Sequence, residues 1–218
     1  MPDDARRALL TGLFDHAPTF PPARLPPADA LAEARRARAS EHAWLLGRLV
    51  WPASLVGELD PSDEREAAFV EPGIERQGEV EYLEGVPLDE IAALGVRAKL
   101  RCGGERIPPV DEVSAFVRGC RERGLVFKAT GGLHHAYPTP AGEHGFLNLL
   151  AAAVFGDEEE ALAAAAGSFE LDAEAFRWDG RSAPPGRLAD VRAALFQSIG
   201  SCSFFEPVEE LERLGMLP

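Results

Sequence analysis

Short runs of β-branched and aromatic residues alternate along this chain with longer runs whose apolar positions recur every three or four residues. ADALAEARRARASEHAWLLGRL predicts a helix ending before Gly47, and Arg48 to Trp51, with Pro52 as a stop, predicts the first strand. SLVGEL opens a short helix. AAFVEP and EVEYLEG predict two short strands separated by the polar linker GIERQG, and PLDEIAALG predicts a helix with Pro87 in an early turn and Gly95 at its C-terminal cap. VRAKLRC (96–102) predicts a strand, PPVDEVSAFVRGCRERG a helix, and LVFKAT (125–130) the next strand. GFLNLLAAAVF and DEEEALAAAAG predict helix, and FELDAEAFRWDG a small hairpin with Phe169, Leu171, Phe176 and Trp178 packed over one edge. LADVRAALFQS fades from helix into a strand at QSIGSCSF, and EPVEELERLGML is the last helix.

Strand, short turn, helix, strand is the order of parallel strands joined by crossovers. The expectation is an α/β fold, a small or incomplete TIM-barrel-like parallel arrangement with a peripheral β-hairpin, and an open parallel α/β sheet as the alternative. About six parallel-type strands are predicted, and a complete eight-stranded barrel typically uses roughly 250 residues. Neither a repeat nor a flexible linker divides residues 1–218, so one barrel-like domain is expected, with residues 1–46 as a helical and proline-rich N-terminal segment. FDHAPTFPPARLPP, residues 14–27, is too rich in proline for a continuous helix.

Charge narrows the function classes. Lys plus Arg number 22 against 36 Asp plus Glu, a net charge of −14. That field disfavours nucleic acid and anionic membranes, and leaves a local basic pocket for a small anion as the expected partner. The three cysteines include no CxxC pair, and MPDDARRALLT is too polar for an export signal and reads as the start of a surface helix. With no apolar run of membrane-spanning length, a cytoplasmic location is expected.

Alternation along the two basic strands supplies candidate chemistry. Arg97, Lys99 and Arg101 share one face of VRAKLRC, and Val126, Lys128 and Thr130 share one face of LVFKAT. On neighbouring parallel strands, Lys99 and Lys128 point into one pocket. A second cation lowers the proton affinity of an amine and makes it nucleophilic. In this reading Lys128 attacks a carbonyl to form an imine, Lys99 lowers its pKa or moves a proton, and Arg101 holds a carboxylate or phosphate. Each basic residue has a bland reading, an ion pair with an acidic neighbour.

Gly103 with Gly104, and Gly131 with Gly132, follow the two basic strands and are read either as an anion nest or as tight turns. His134, His135 and His144 are candidates for acid-base work or substrate binding, with His135 and Glu206 placed in the catalytic set. Asn148, Ser201 and Ser203 are candidate substrate contacts, and Cys202 reads as structural for want of a sequence-local histidine. No cofactor is expected in this reading. In the alternative, His134, His135 and His144 hold a divalent metal with a carboxylate from Glu71, Glu81, Glu84, Glu143 or Glu206.

FDHAPTFPPARLPPADAL, WPASLVGEL, AKLRCGG, FKATGGLHHAYP, HGFLNLLAAAVF and GSCSFFEPVEELERLGML lie in this order over nearly the whole chain. They resemble an uncharacterised bacterial family of barrel-like proteins. The resemblance implies a barrel, here shortened between the WPAS and KLRCGG segments. FKATGG also resembles the Schiff-base strand of deoxyribose-phosphate aldolases, which implies Lys128 as the amine, Thr130 as a nearby hydroxyl, and Gly131 and Gly132 as the turn. The expected function is a small-molecule enzyme for an anionic carbonyl substrate, of the Schiff-base lyase or aldolase type. A metal-dependent hydrolase or isomerase is one alternative. A non-catalytic metabolite-binding or assembly protein is the other, with a homodimer covering the edge of an incomplete barrel.

Overall fold

Eight strands close into a barrel in the computed structural model, which describes residues 3–218. They are β1 (Phe14–His16), β2 (Leu46–Pro52), β3 (Ala68–Glu71), β4 (Ile74–Gln77), β5 (Val80–Glu84), β6 (Arg97–Arg101), β7 (Phe127–Thr130) and, after a peripheral sheet of β8 (Phe169–Leu171), β9 (Phe176–Trp178) and β10 (Arg181–Ala183), the last barrel strand β11 (Phe196–Ser201). Around the barrel the order is β1, β11, β7, β6, β5, β4, β3, β2. Every neighbouring pair is parallel except the two that β4 makes, with β3 and with β5.

The helices are α1 (Ala5–Leu10), α2 (Pro27–Arg38), α3 (Pro61–Glu66), α4 (Leu88–Leu94), α5 (Val110–Arg123), α6 (Phe146–Phe155), α7 (Glu158–Ala163), α8 (Pro185–Ala194) and α9 (Phe205–Arg213). None is long and apolar enough to cross a membrane. The expected surface helix at the start is α1, and it buries Leu9 and Leu10 completely.

Closure removes the open-sheet alternative and the incomplete barrel. Two strands beyond the six expected complete the ring. One is β1, at the head of the proline-rich segment; the other is β4, inside the segment read as a polar linker. The β3–β4–β5 meander joins its strands with tight turns, where a crossover helix would need more chain. The barrel has no unpaired edge among the described residues, so the reason given for a covering second copy is absent.

Outward-facing side chains make the main apolar core. Phe127 of β7 meets Phe116 of α5 edge-on at 5.5 Å and Phe196 of β11 at 4.9 Å. Phe14 of β1 meets Phe146 of α6 at 5.4 Å. Helix α6 is buried on nearly every side because α7, α8 and the peripheral sheet cover the faces that the barrel leaves free. Each such fully buried large side chain contributes about 1.5–3 kcal/mol. The expected hairpin is two strands of the peripheral sheet, and β10 adds the third. Phe169 and Phe176 pack there at 5.8 Å, with Trp178 6.1 Å from Phe169.

The inside of the barrel is different. Alternation aims Asp15, Glu75, Tyr82, Lys99, Lys128 and Ser198 inward, and all six are buried. A smaller apolar group, Ala17, Val50 and Ala68 with Phe20 and Val70, fills the rest.

Candidate functional site

Lys99 and Lys128 do meet inside the barrel, as register partners on β6 and β7. They are the chain's only lysines; its other 20 basic residues are arginines. Each amine is held by carboxylates. Lys128 Nζ lies 2.5 Å from Asp15 Oδ2 and 2.5 Å from Glu75 Oε1. Lys99 Nζ lies 3.1 Å from Glu75 Oε2 and 3.6 Å from Glu84. Glu84 in turn receives Arg101 through two contacts of 2.5 and 3.1 Å. Asp15, Lys128, Glu75, Lys99, Glu84 and Arg101 thus form a ladder of alternating charge from one end of the barrel to the other.

Local irregularities serve this ladder. The register slips between β1 and β2 and between β11 and β7, while β1 and β11 pair in regular register. Such slips re-aim groups that a regular strand would commit elsewhere. Here they give Asp15 the backbone N–H of Arg48 at 2.7 Å on Oδ1 and the hydroxyl of Ser198 at 2.7 Å on Oδ2. Gly47 leaves room for that carboxylate, since a Cβ there would lie 2.3 Å from Asp15 Oδ1.

The pairing overturns Lys128 as a free amine. Burial by itself lowers its pKa, but Asp15 and Glu75 outweigh that and raise it above the ordinary lysine value. Glu75 is the counterpart: burial raises its pKa, and Lys128 with Lys99 brings it well below the carboxylate range. A protonated amine with no exposed surface cannot attack a carbonyl. Lys99 therefore neutralises Glu75 and Glu84, and does not activate Lys128.

The glycines have a packing explanation. A Cβ on Gly103 would lie 2.9 Å from the Cα of Gly132, and one on Gly131 would lie 2.9 Å from the carbonyl oxygen of Gly103. The loops after β6 and β7 pass backbone against backbone, so Gly103, Gly131 and Gly132 close a turn-to-turn contact, in keeping with the tight-turn reading. Gly104 faces open space. Thr130 packs across β11 at Gly200, where a Cβ would meet its Cγ2 at 2.9 Å.

The three expected histidine ligands go to separate partners. His144 is buried and bonds the carbonyl of Pro108 at 2.7 Å. His135 meets Glu210 at 2.8 Å, fastening the β7–α6 loop to α9. Asn148 donates to the carbonyls of Ala161 and Ala164, both at 2.8 Å, tying α6 to the end of α7. The metal expectation therefore fails on geometry, because His135 and His144 are each committed elsewhere. Among the described residues, one group of three ligand atoms is close enough for an ion, Glu41, His42 and Glu212, and it includes none of the three expected histidines.

His134 remains, and it gathers the residues at the C-terminal ends of β7 and β11. Its Nδ1 lies 3.1 Å from Glu206 in the first turn of α9 and 3.4 Å from Ser201 Oγ. Its Nε2 lies 3.9 Å from the sulfur of Cys202. Ser201 donates to the carbonyl of Ser203 at 2.7 Å, and the Ser203 hydroxyl accepts the N–H of Glu206 at 3.3 Å, fixing the turn that carries the thiol.

No protein-family model, curated protein or solved structure matches this chain. The arrangement is therefore read from its own geometry. Sulfur, imidazole and carboxylate stand in line, with one ring nitrogen toward each neighbour. A metal would draw the three donors around one point, whereas a proton relay needs this line. Burial raises the Cys202 pKa and the backbone of Ala23 opposes it, while Glu206 and Glu33 add to the rise. The resting sulfur is a thiol and needs a base to react. Cys102 and Cys120 are buried without such a partner, and burial pushes both up to about 12. Sequence reading missed the pair because 68 residues separate Cys202 from His134.

Proposed function

We propose that the chain is a small-molecule enzyme of carbonyl chemistry whose nucleophile is the Cys202 thiol, with His134 as base and Glu206 orienting the imidazole. The observation that carries this reading is the position of His134, with Nε2 toward Cys202 at 3.9 Å and Nδ1 toward Glu206 at 3.1 Å. Its place at the C-terminal ends of two adjacent barrel strands agrees with where barrel enzymes keep their reacting groups.

The step balances within the site. His134 Nε2 takes the Cys202 proton as the sulfur attacks the carbonyl carbon of an ester or thioester. The carbon–sulfur bond forms, the bond to the leaving group breaks, and the proton passes from Nε2 to the leaving alcohol or thiol. Water, deprotonated by the same nitrogen, then releases the acid and restores the thiol. Glu206 holds the ring so that Nδ1 carries the other proton. A general base of this kind contributes roughly 10²- to 10⁴-fold in rate.

Iodoacetamide labelling across pH, read by peptide mass analysis, together with turnover of an aryl-ester and thioester panel, tests the reading. Cys202 should label while Cys102 and Cys120 stay protected, and His134→Asn should slow that labelling by about tenfold or more near pH 7. Equal labelling in wild type and His134→Asn, or ester turnover that survives Cys202→Ser, would sink it.

A further inference from the structure

The opposite end of the barrel holds a cavity of about 400 Å³, in the size range of small-metabolite sites. It opens at the N-terminal ends of the parallel strands, between α8 and the entry to β1, and its lining includes Asp15, Gln77, Arg97, Arg192 and Gln197. Three arginines line it, all with neutral partners; Arg48 donates to the main-chain carbonyl of Glu66 at 3.2 Å. Arg97 donates to the hydroxyl of Tyr82 at 3.1 Å and to the side-chain oxygen of Gln197. Arg192 donates to main-chain carbonyls, those of Phe196 at 3.1 Å and Thr11 at 3.3 Å together with Leu9 and Gln197.

Among the described residues none of the three guanidinium groups touches a carboxylate. Asp15 is the one acidic residue in the lining, and its two oxygens are already taken by Arg48 N–H, Ser198 and Lys128. The six-member ladder that begins at Asp15 contains three cations and three anions, so its net charge offsets none of these arginines. The charges of Arg97 and Arg192, with Arg48 also in the lining, are thus left around one concave polar space in a chain of net charge −14. Burial, partly countered by the field of Asp15, pulls the Arg192 pKa down to about 10; the group stays charged at neutral pH, and an anion beside it would relieve that cost.

We infer that this mouth binds a small organic carboxylate, held by Arg97 and Arg192 through charge-assisted hydrogen bonds, with the side-chain oxygen of Gln77 and the side-chain nitrogen of Gln197 left for its polar substituents. Arg97, whose two bonds both leave from Nη1, keeps Nε and Nη2 for two-point contact with a carboxylate, whereas Arg192, with four of its five N–H groups on main-chain carbonyls, adds one N–H and its charge. The site rests on the cavity and its charges alone. It is independent of the thiol chemistry at the other end of the barrel.

Calorimetry and thermal shift with citrate, malate, succinate and inorganic phosphate, at matched ionic strength and with the neutral diamide of succinate as control, test it. Saturable binding of a carboxylate is expected, weakened about tenfold or more in Arg97→Gln, with the folded state of that variant checked by circular dichroism. Arg192→Lys, which keeps the charge and loses the bonds that hold the guanidinium at the mouth, should weaken binding as well. Cys202→Ser should bind as wild type does, which separates failure here from failure of the thiol reading. Absence of saturable binding by every anion, a response matched by sodium chloride, or full affinity in both arginine variants would overturn the proposal. Tighter binding of phosphate than of any carboxylate would overturn the ligand class.

Discussion

The Lys128 ammonium reaches across β11 to Asp15, 2.5 Å away, and completes its pairing with Glu75 on the far side of the barrel. Lysine suits this position because its narrow stem brings a point charge between two carboxylates, where a guanidinium would need a wider fork-shaped space. Removing one member of such a cluster leaves the others charged and buried. Lys128→Met should cost about 3–5 kcal/mol in urea unfolding. Combined with Asp15→Asn, the loss should be smaller than the sum of the single losses, because the second change removes one of the stranded charges.

Burial of the only two lysines gives a direct chemical readout. Reductive methylation of the native protein with formaldehyde and cyanoborohydride should leave Lys99 and Lys128 unmodified, and both should react in urea. Peptide mass analysis distinguishes the two positions. Native-state labelling of Lys128 would mean that the ladder opens, and would restore the case for an imine.

The contact between Gly103 and Gly132 should tolerate no side chain. Gly103→Ala places a methyl 2.9 Å from a Cα and 3.0 Å from a backbone nitrogen, neither of which can rotate away. Overpacking of this kind costs about 1–3 kcal/mol. The loop after β7 carries His134, so the same variant should also slow alkylation of Cys202. Melting temperature and labelling rate read the two effects separately.

His16 sets an acid-side limit on stability. Its ring is buried, neither nitrogen makes a hydrogen bond, and Glu33 lies 3.3 Å away. Burial first, then Arg38 and Arg36, lowers its pKa to about 4. The unfolded ring takes up a proton below about pH 6.5 and the native ring does not until about pH 4. In that window the unfolded state binds more protons, so stability is fullest above pH 6.5 and falls as the pH drops. The slope approaches about 1.4 kcal/mol per pH unit, with a total of roughly 3 kcal/mol. Glu33, whose own burial raises its pKa, acts in the opposite sense nearer pH 4.5. Urea unfolding at pH 7, 6 and 5 should therefore show the decline, and His16→Asn should flatten it.

The strands that were legible carry apolar residues on their outward faces, as Phe127 and Ala129 do on β7 and Ala98 and Leu100 on β6. Packing against helices demands those residues, so alternation revealed both the strands and their parallel order. In β1 and β4, by contrast, the inward positions are Asp15, Glu75 and Gln77, and the segments are three and four residues long. A polar interior inverts the usual signal, and the two short strands read as a turn and a linker.

Those same two strands bear the carboxylates that neutralise Lys128. The sequence by itself determined which face of its strand each lysine takes, because alternation follows from the strand pattern, and so that the two would share one space once their strands are parallel neighbours. Only closure of the barrel decided what they would find there. Ring closure brings β1 and β4 to opposite sides of β7 and sets Asp15 and Glu75 against one amine. The thiol pair has the same origin: Cys202 and His134 are distant in the chain and adjacent in space because β7 and β11 are neighbours. Neighbour relations between strands are made by long-range hydrogen bonding, and local residue patterns do not encode them.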